Sequence, residues 1–164
     1  MINYTKITSL NDINFDSLFQ GTLPYMLIEQ DYFPINIDTD EKRKQATIES
    51  LEAILSMPNS ACFKVLDDEN EIAALFGFIQ DDMYIISYAL LQDDINGSRS
   101  YIHDPKWFDN IKTFATAEGA TYGGIYFFDT SPTLPSAKII YGKTDSDITT
   151  TNIDGKNILL MRLW

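Results

Sequence analysis

The segment 61–91 constrains the fold of this chain more than any other part of the sequence. It contains three runs rich in Phe, Val, Ile and Tyr, which favour β-strands: Ala61–Leu66, Ile72–Gln80 and Tyr84–Leu91. The segments between the runs are short and acidic, as tight hairpin turns often are. The pattern therefore predicts three consecutive antiparallel strands, and such a sheet needs a cover on at least one face.

Helical patterns before this segment can supply part of the cover. The elements predicted here are a strand at 2–8, a short helix that Asn11 or Asp12 caps and Gly21 ends, a separate short turn at Leu23–Ile28, and a stronger helix that starts at Asp38, Thr39 or Asp40 and ends at Ser56. Pro58 stops the last of these helices, because proline cannot continue a helical hydrogen-bond ladder.

A second set of elements follows the meander. They are a helix with Asp104 as its cap and Pro105 as its first residue, a buried strand at Tyr122–Phe128, a short helix at Ser136–Tyr141, and a hairpin formed by Ile148–Ile153 and Asn157–Trp164 around Asp154-Gly155. The sequence thus predicts one α/β domain at residues 1–164, with a mixed, mostly antiparallel sheet of six or seven strands flanked by helices.

Charge and composition exclude several classes of function. The 164 residues include 12 Lys and Arg against 24 Asp and Glu, for a net charge of −12. Nucleic acids and anionic membranes both need a basic surface, so neither is an expected partner. The single cysteine, Cys62, precludes an intrachain disulfide and fits a reducing, cytoplasmic compartment. No run is long and apolar enough to predict a membrane span, and no residue pattern predicts a metal site.

The order of the predicted elements resembles the GNAT superfamily of N-acetyltransferases across nearly the whole chain. In that family the fourth and fifth strands run parallel and splay apart, and the pantetheine of acetyl-CoA lies in the gap. The resemblance implies that these strands are Tyr84–Leu91 and Tyr122–Phe128. It also implies that backbone groups of Leu90, Leu91 and Gln92 hold the pantetheine.

In the family, the loop after the fourth strand holds a signature for pyrophosphate binding, which this chain matches only in part. The signature is Gln or Arg, two residues, Gly, one residue, then Gly or Ala, and it opens a helix whose N–H groups surround the phosphates. Gly97 matches it here, whereas Asp94 replaces the Gln or Arg and Arg99 replaces the second small residue. The resemblance implies that Gly97, Ser98 and Arg99 contact the pyrophosphate.

The resemblance also implies catalytic roles for two further residues, Tyr141 and Asp129. Tyr141 follows Ala137 by four positions and precedes Gly142-Lys143, similar to the late-helix pattern whose tyrosine reprotonates the CoA thiolate. A phenol holds its proton at neutral pH and therefore suits a general acid. The presumed fourth strand has no carboxylate, and Asp129 is the nearest candidate for the base that deprotonates the amine. The substrate would be a small-molecule or protein amine.

An alternative reading is a non-catalytic protein of the same fold. Asp93 and Asp94 stand where a phosphate should be attracted, and no strand carboxylate supplies a base. Such a domain would act as an interaction or structural component with a protein assembly partner. The Asn-, Asp- and Ile-rich composition suits, among other origins, a bacteriophage, and a virion component is one form of this alternative.

Overall fold

The computed structural model describes residues 2–28, 37–92, 102, 104–129, 131 and 133–164. Seven strands form one sheet: β1 (Ile2–Ile7), β2 (Ser60–Asp67), β3 (Asn70–Gln80), β4 (Met83–Leu91), β5 (Tyr122–Phe128), β6 (Ile148–Ile153) and β7 (Lys156–Arg162). Their order across the sheet is β1-β2-β3-β4-β5-β7-β6. Every neighbouring pair is antiparallel except β4 and β5, which are parallel. The predicted fold class and the parallel pairing of these two strands are confirmed.

Four α-helices flank the sheet within the described residues. They are α1 (Phe15–Ile28), α2 (Asp40–Leu55), α3 (Pro105–Ala117) and α4 (Leu134–Tyr141). Thr39 caps α2 by accepting a hydrogen bond from the Lys42 N–H, and Asp104 caps α3 in the same way through Lys106. No described helix is both long and apolar enough to cross a membrane.

The prediction that a short helix ends at Gly21 is wrong. α1 continues through Gly21 and Pro24 to Ile28, and the turn predicted at Leu23–Ile28 is its second half. The reason is a tertiary contact: a Cβ at Gly21 would lie 3.2 Å from the Cα of Gln92. A glycine at this point lets the helix approach the end of β4 closely, so its role is packing and not termination.

The helices divide the core into two layers, one on each face of the sheet. On the α1 and α2 face the buried cluster comprises Ile7, Ile13, Leu18, Leu51, Ile54, Cys62, Ala74, Phe76 and Leu90. On the α3 and α4 face the larger cluster includes Phe63, Tyr84, Ile86, Trp107, Ile111, Ala115, Ala137 and Met161. β4 contributes side chains to both layers, so this strand lies at the centre of the molecule.

The hairpin turns have the chemistry predicted from sequence. Asp81 and Asp82 both have positive φ, 51° and 63°, between β3 and β4. Asp154 and Gly155 have φ of 52° and 78° between β6 and β7. Two consecutive residues in this region form a turn whose twist matches that of paired strands, which fixes the register on either side.

Candidate functional site

The central feature of the site is a gap between β4 and β5. The two strands pair in parallel only over Met83–Ile86 and Tyr122–Ile125. Beyond these residues β4 continues to Leu91 and β5 to Phe128 without pairing to each other. The carboxyl ends of both strands therefore leave a gap that is bounded by strand edges on both sides, as the resemblance implied.

A β-bulge marks the point where the gap begins. Tyr88 pairs with Phe76 but Ile86 pairs with Gly77, so Ser87 is an extra residue in β4. An extra residue reverses which face of the sheet the following side chains occupy. Tyr84 and Ile86 lie in the α3 and α4 layer, whereas Leu90 lies in the α1 and α2 layer.

Of the three backbone positions predicted to hold pantetheine, Leu91 is the one that directs its polar groups towards the gap. The Gln92 N–H donates to the Ile72 carbonyl of β3 at 2.9 Å, so the backbone polar groups of Gln92 point towards β3 and away from the gap. Leu90, which pairs with Ala74, lies two residues before Gln92, so its backbone N–H and C=O also point towards β3. Ala89 shares the orientation of Leu91 by the same alternation, and its N–H and C=O face the gap.

Tyr141, the predicted general acid, is the last residue of α4 and packs against the core of the α3 and α4 layer. Trp107 Nε1 donates to its hydroxyl oxygen at 3.5 Å. Because an indole N–H can only donate, the hydroxyl accepts this bond and retains its own proton. Among the described residues no acceptor is found for that proton. Burial raises the pKa of Tyr141, while the Trp107 hydrogen bond acts in the opposite direction, so the phenol is protonated at neutral pH.

A surface cavity of about 260 Å³ lies beside Tyr141, between the start of α3 and the end of α4. It is lined by Ile102, Asp104, Pro105, Phe108, Asp109, Ile140 and Tyr141. The Asp104 carboxylate already accepts a hydrogen bond from the Lys106 N–H at 2.9 Å. The helix end that could attract a phosphate is thus occupied by a carboxylate of the chain itself.

The predicted pyrophosphate residues Gly97, Ser98 and Arg99 lie outside the described residues. The predicted base, Asp129, is exposed in the turn that follows β5. It is four positions beyond Ile125, about 13 Å along an extended strand from the point where β4 and β5 separate. Asp129 therefore lies towards the open end of the gap and not where the gap begins.

Three solved structures have a similar fold. The PaiA N-acetyltransferase from Thermoplasma acidophilum, in complex with coenzyme A, matches with a TM-score of 0.61 at 11% identity and covers 100% of this chain and 99% of that one. A GNAT-family acetyltransferase from Desulfovibrio desulfuricans matches with a TM-score of 0.60 at 8% identity, covering 99% and 98%. The ribosomal-protein-S18-alanine N-acetyltransferase from Escherichia coli gives 0.53 at 11% identity, covering 99% and 94%.

The fold is that of the GNAT acetyltransferases. No protein-family model matches the sequence, and no curated protein matches it significantly. At these levels of identity the likeness to solved structures lies in the backbone, and the residues of the site have to be judged by their own chemistry.

The GNAT fold implies coenzyme A, and two observations show how far the described residues fit it. The edge of β4 at Ala89 presents N–H and C=O groups with which an extended amide chain such as pantetheine can pair, and the Leu91 N–H at the same edge is bonded to Thr22. Tyr141 holds a proton that no described group accepts. Among the described residues the fit is therefore to the pantetheine arm at the β4 edge, and the start of α3 is already capped by the Asp104 carboxylate.

Three structural features that shape this site were not predicted from the sequence. These are the bulge at Ser87, the hydrogen bond from Trp107 to Tyr141, and a contact between Thr22 of α1 and Leu91. Each joins residues that are distant in the chain or depends on strand register. The helical spacing of Trp107 signalled its burial but not its partner.

We expect the fold to lose stability above about pH 10, the pKa of an unperturbed tyrosine. Burial raises the pKa of Tyr4, Tyr84 and Tyr141, so the folded protein holds these protons more tightly than the unfolded chain. The stabilisation is complete below the unfolded pKa and is lost as the pH rises above it, by up to about 1.4 kcal/mol per pH unit for each tyrosine. Urea denaturation at a series of alkaline pH values measures the slope.

Tyr84→Phe is the matched variant for this experiment. The Tyr84 side chain is fully buried and its hydroxyl donates to the Ala61 carbonyl at 2.9 Å. The variant loses that hydrogen bond at neutral pH but should show a shallower alkaline slope than the wild type. Identical slopes for the two proteins would contradict the effect of burial on this tyrosine.

Proposed function

We propose that this chain is an acetyl-CoA-dependent N-acyltransferase that acts on an amine. The observation that carries the proposal is the gap between β4 and β5, with the backbone of Ala89 and Leu91 facing into it. An extended amide ligand can join such an edge by main-chain hydrogen bonds. The PaiA N-acetyltransferase of the same fold was solved with coenzyme A, which supports this ligand class.

The chain's own groups would serve the reaction at two atoms. Bound acetyl-CoA supplies an activated acyl thioester, which an amine nitrogen can attack directly. Tyr141 would deliver its hydroxyl proton to the departing thiolate, and the hydrogen bond from Trp107 Nε1 would stabilise the oxygen as that proton leaves. Asp129 would accept the amine proton, through water because it lies at the open edge of the gap.

The charge of the chain favours a cationic acceptor. With a net charge of −12, the surface attracts amines that are protonated in solution and repels nucleic acids. The acceptor would therefore be a small-molecule amine or an amine of a protein, and Asp129 would remove its proton at the site. No particular amine is distinguished by the described residues.

A calorimetric titration with acetyl-CoA tests the proposal. The expected result is heat that saturates at one ligand per chain, with coenzyme A binding in the same range because both carry the pantetheine arm. Absence of heat with either ligand at millimolar concentration would remove the N-acyltransferase from consideration.

A second candidate is a GNAT-fold interaction component without catalytic activity, of which a phage virion protein would be one form. Two observations favour it: Thr22 occupies the Leu91 N–H, and Asp104 occupies the start of α3. In this case a protein partner, and not coenzyme A, would be the ligand. The same titration separates the two candidates, since an interaction component gives no heat with coenzyme A.

A further inference from the structure

The side chain of Thr22 reaches from α1 to the edge of β4 that faces the gap. Its hydroxyl oxygen accepts a hydrogen bond from the Leu91 N–H at 2.9 Å and lies 3.2 Å from the Leu91 carbonyl oxygen. Thr22 is only 6% exposed, so this contact is shielded from solvent. A side chain of the protein thus occupies the backbone groups that an incoming pantetheine arm would use.

The hydroxyl of Thr22 has a single proton for two possible acceptors. Besides the Leu91 carbonyl, the Leu18 carbonyl lies 2.8 Å away, one helical turn back in α1. When the proton goes to Leu18, Thr22 still accepts from the Leu91 N–H, and the Leu91 carbonyl loses this donor. Thr22 therefore competes with a ligand mainly for the Leu91 N–H, because it bonds to that group whichever carbonyl receives its proton.

The part of α1 that holds Thr22 is docked on β4 but is intrinsically weak as a helix. Gly21 lies against Gln92, and the Gln92 side-chain amide donates to Ser17 Oγ at 2.6 Å. Gly21 and Pro24 flank Thr22, and they are the two residue types least favourable inside a helix. Pro24 also lacks the N–H that would bond to the carbonyl of Gln20. Displacing this segment from β4 therefore costs less free energy than displacing a regular helix would.

We propose that Thr22 is an internal competitor for the acyl donor, which must displace the Thr22 hydroxyl from the Leu91 N–H in order to join the edge of β4. The inference rests on the proposed function of the gap as an acyl-donor site. It makes Thr22 a residue that lowers the affinity for the pantetheine arm, and makes release of α1 from β4 part of donor binding.

The test compares coenzyme A binding to the wild type, Thr22→Ala and Thr47→Ala by calorimetry. Thr47 is the matched control, because it is also a buried helical threonine whose hydroxyl donates one turn back, to the Arg43 carbonyl at 2.8 Å. Thr47 lies in α2, and its hydroxyl bonds within that helix. We expect Thr22→Ala to bind coenzyme A about tenfold more tightly, the equivalent of one hydrogen bond that no longer has to be broken. Thr47→Ala should bind like the wild type.

The remaining outcomes separate the inference from the function on which it rests. If the wild type binds coenzyme A and Thr22→Ala binds it equally or more weakly, Thr22 does not compete with the acyl donor. The proposed acyl-donor site is then unaffected. If neither protein binds, both are wrong. Should Thr22→Ala fail to fold, the wild type answers the question: saturation with coenzyme A must shift the Thr22 methyl resonance, and a bound complex in which this resonance is unchanged overturns the inference.

Discussion

Replacing Tyr141 by phenylalanine should lower the turnover rate of acyl transfer by about 10²–10⁴-fold, the usual contribution of a general acid. The Michaelis constant for acetyl-CoA should change little, because the variant removes one hydroxyl and no part of the β4 edge. The physical basis is the proton of Tyr141, for which no described residue is an acceptor and which stays on the oxygen because burial raises the pKa. Steady-state kinetics that follow thiol release measure both parameters.

Tyr4→Phe is the matched control for this prediction. Tyr4 is a partly buried tyrosine near the same tryptophan, but its hydroxyl donates to the Trp107 carbonyl at 3.1 Å and its proton is already engaged. Its loss should reduce stability by about 1 kcal/mol and leave turnover unchanged. The pH dependence adds a second criterion. Since Tyr141 acts in its protonated form and its pKa is raised, any loss of rate from its ionisation begins only above about pH 10. A Tyr141→Phe protein with wild-type turnover would show that another group protonates the thiolate.

Replacing Gly77 by alanine should destabilise the fold by about 1–3 kcal/mol, as overpacking of a rigid site does. A Cβ at Gly77 would lie 2.5 Å from the Ile85 carbonyl oxygen and 2.8 Å from the Tyr84 ring. The carbonyl belongs to the neighbouring strand and cannot move alone, so β3 and β4 must separate. Gly77 is also adjacent to the bulge, since the register shift falls between Phe76 and Gly77. Urea denaturation measures the loss.

The control for this variant is Gly124→Ala in β5. A Cβ there would lie 2.8 Å from Leu160 Cδ1 and 3.1 Å from the Met83 sulfur, both of which belong to flexible side chains, although the Met161 carbonyl oxygen is 3.2 Å away. We expect a smaller loss of stability than at Gly77. Equal free energies of unfolding for Gly77→Ala and the wild type would contradict the close approach of β3 and β4 at Gly77.

The sequence predicted correctly those parts of the fold that depend on residues close together in the chain. The turn at Asp81-Asp82, the cap at Thr39 and the hairpin at Asp154-Gly155 depend on a few consecutive residues, and all are found. The end of a helix at Gly21 was predicted by the same local logic and is wrong, because the contact with Gln92 is a tertiary one. Local glycine preferences cannot distinguish a helix end from a close approach.

The candidate site was predictable in outline but not in detail. The order of elements was sufficient to place a gap between β4 and β5. The orientation of Leu91 towards that gap depends on register and on the bulge at Ser87, which no short pattern encodes. The contact of Thr22 with Leu91 depends on a helix that the sequence pattern predicted to end at Gly21. Site details therefore required the tertiary structure, whereas the architecture did not.

The most direct test of the account is to follow backbone amide resonances while coenzyme A is added to the isotopically labelled protein. If the gap holds the pantetheine arm, the largest shifts will fall on Ala89 and Leu91 and on the facing end of β5, Tyr126–Phe128. The amides of β1, at the far edge of the sheet, should not move. Shifts confined to other surfaces, or no shifts at saturating ligand, would contradict the assignment of this gap as an acyl-donor site.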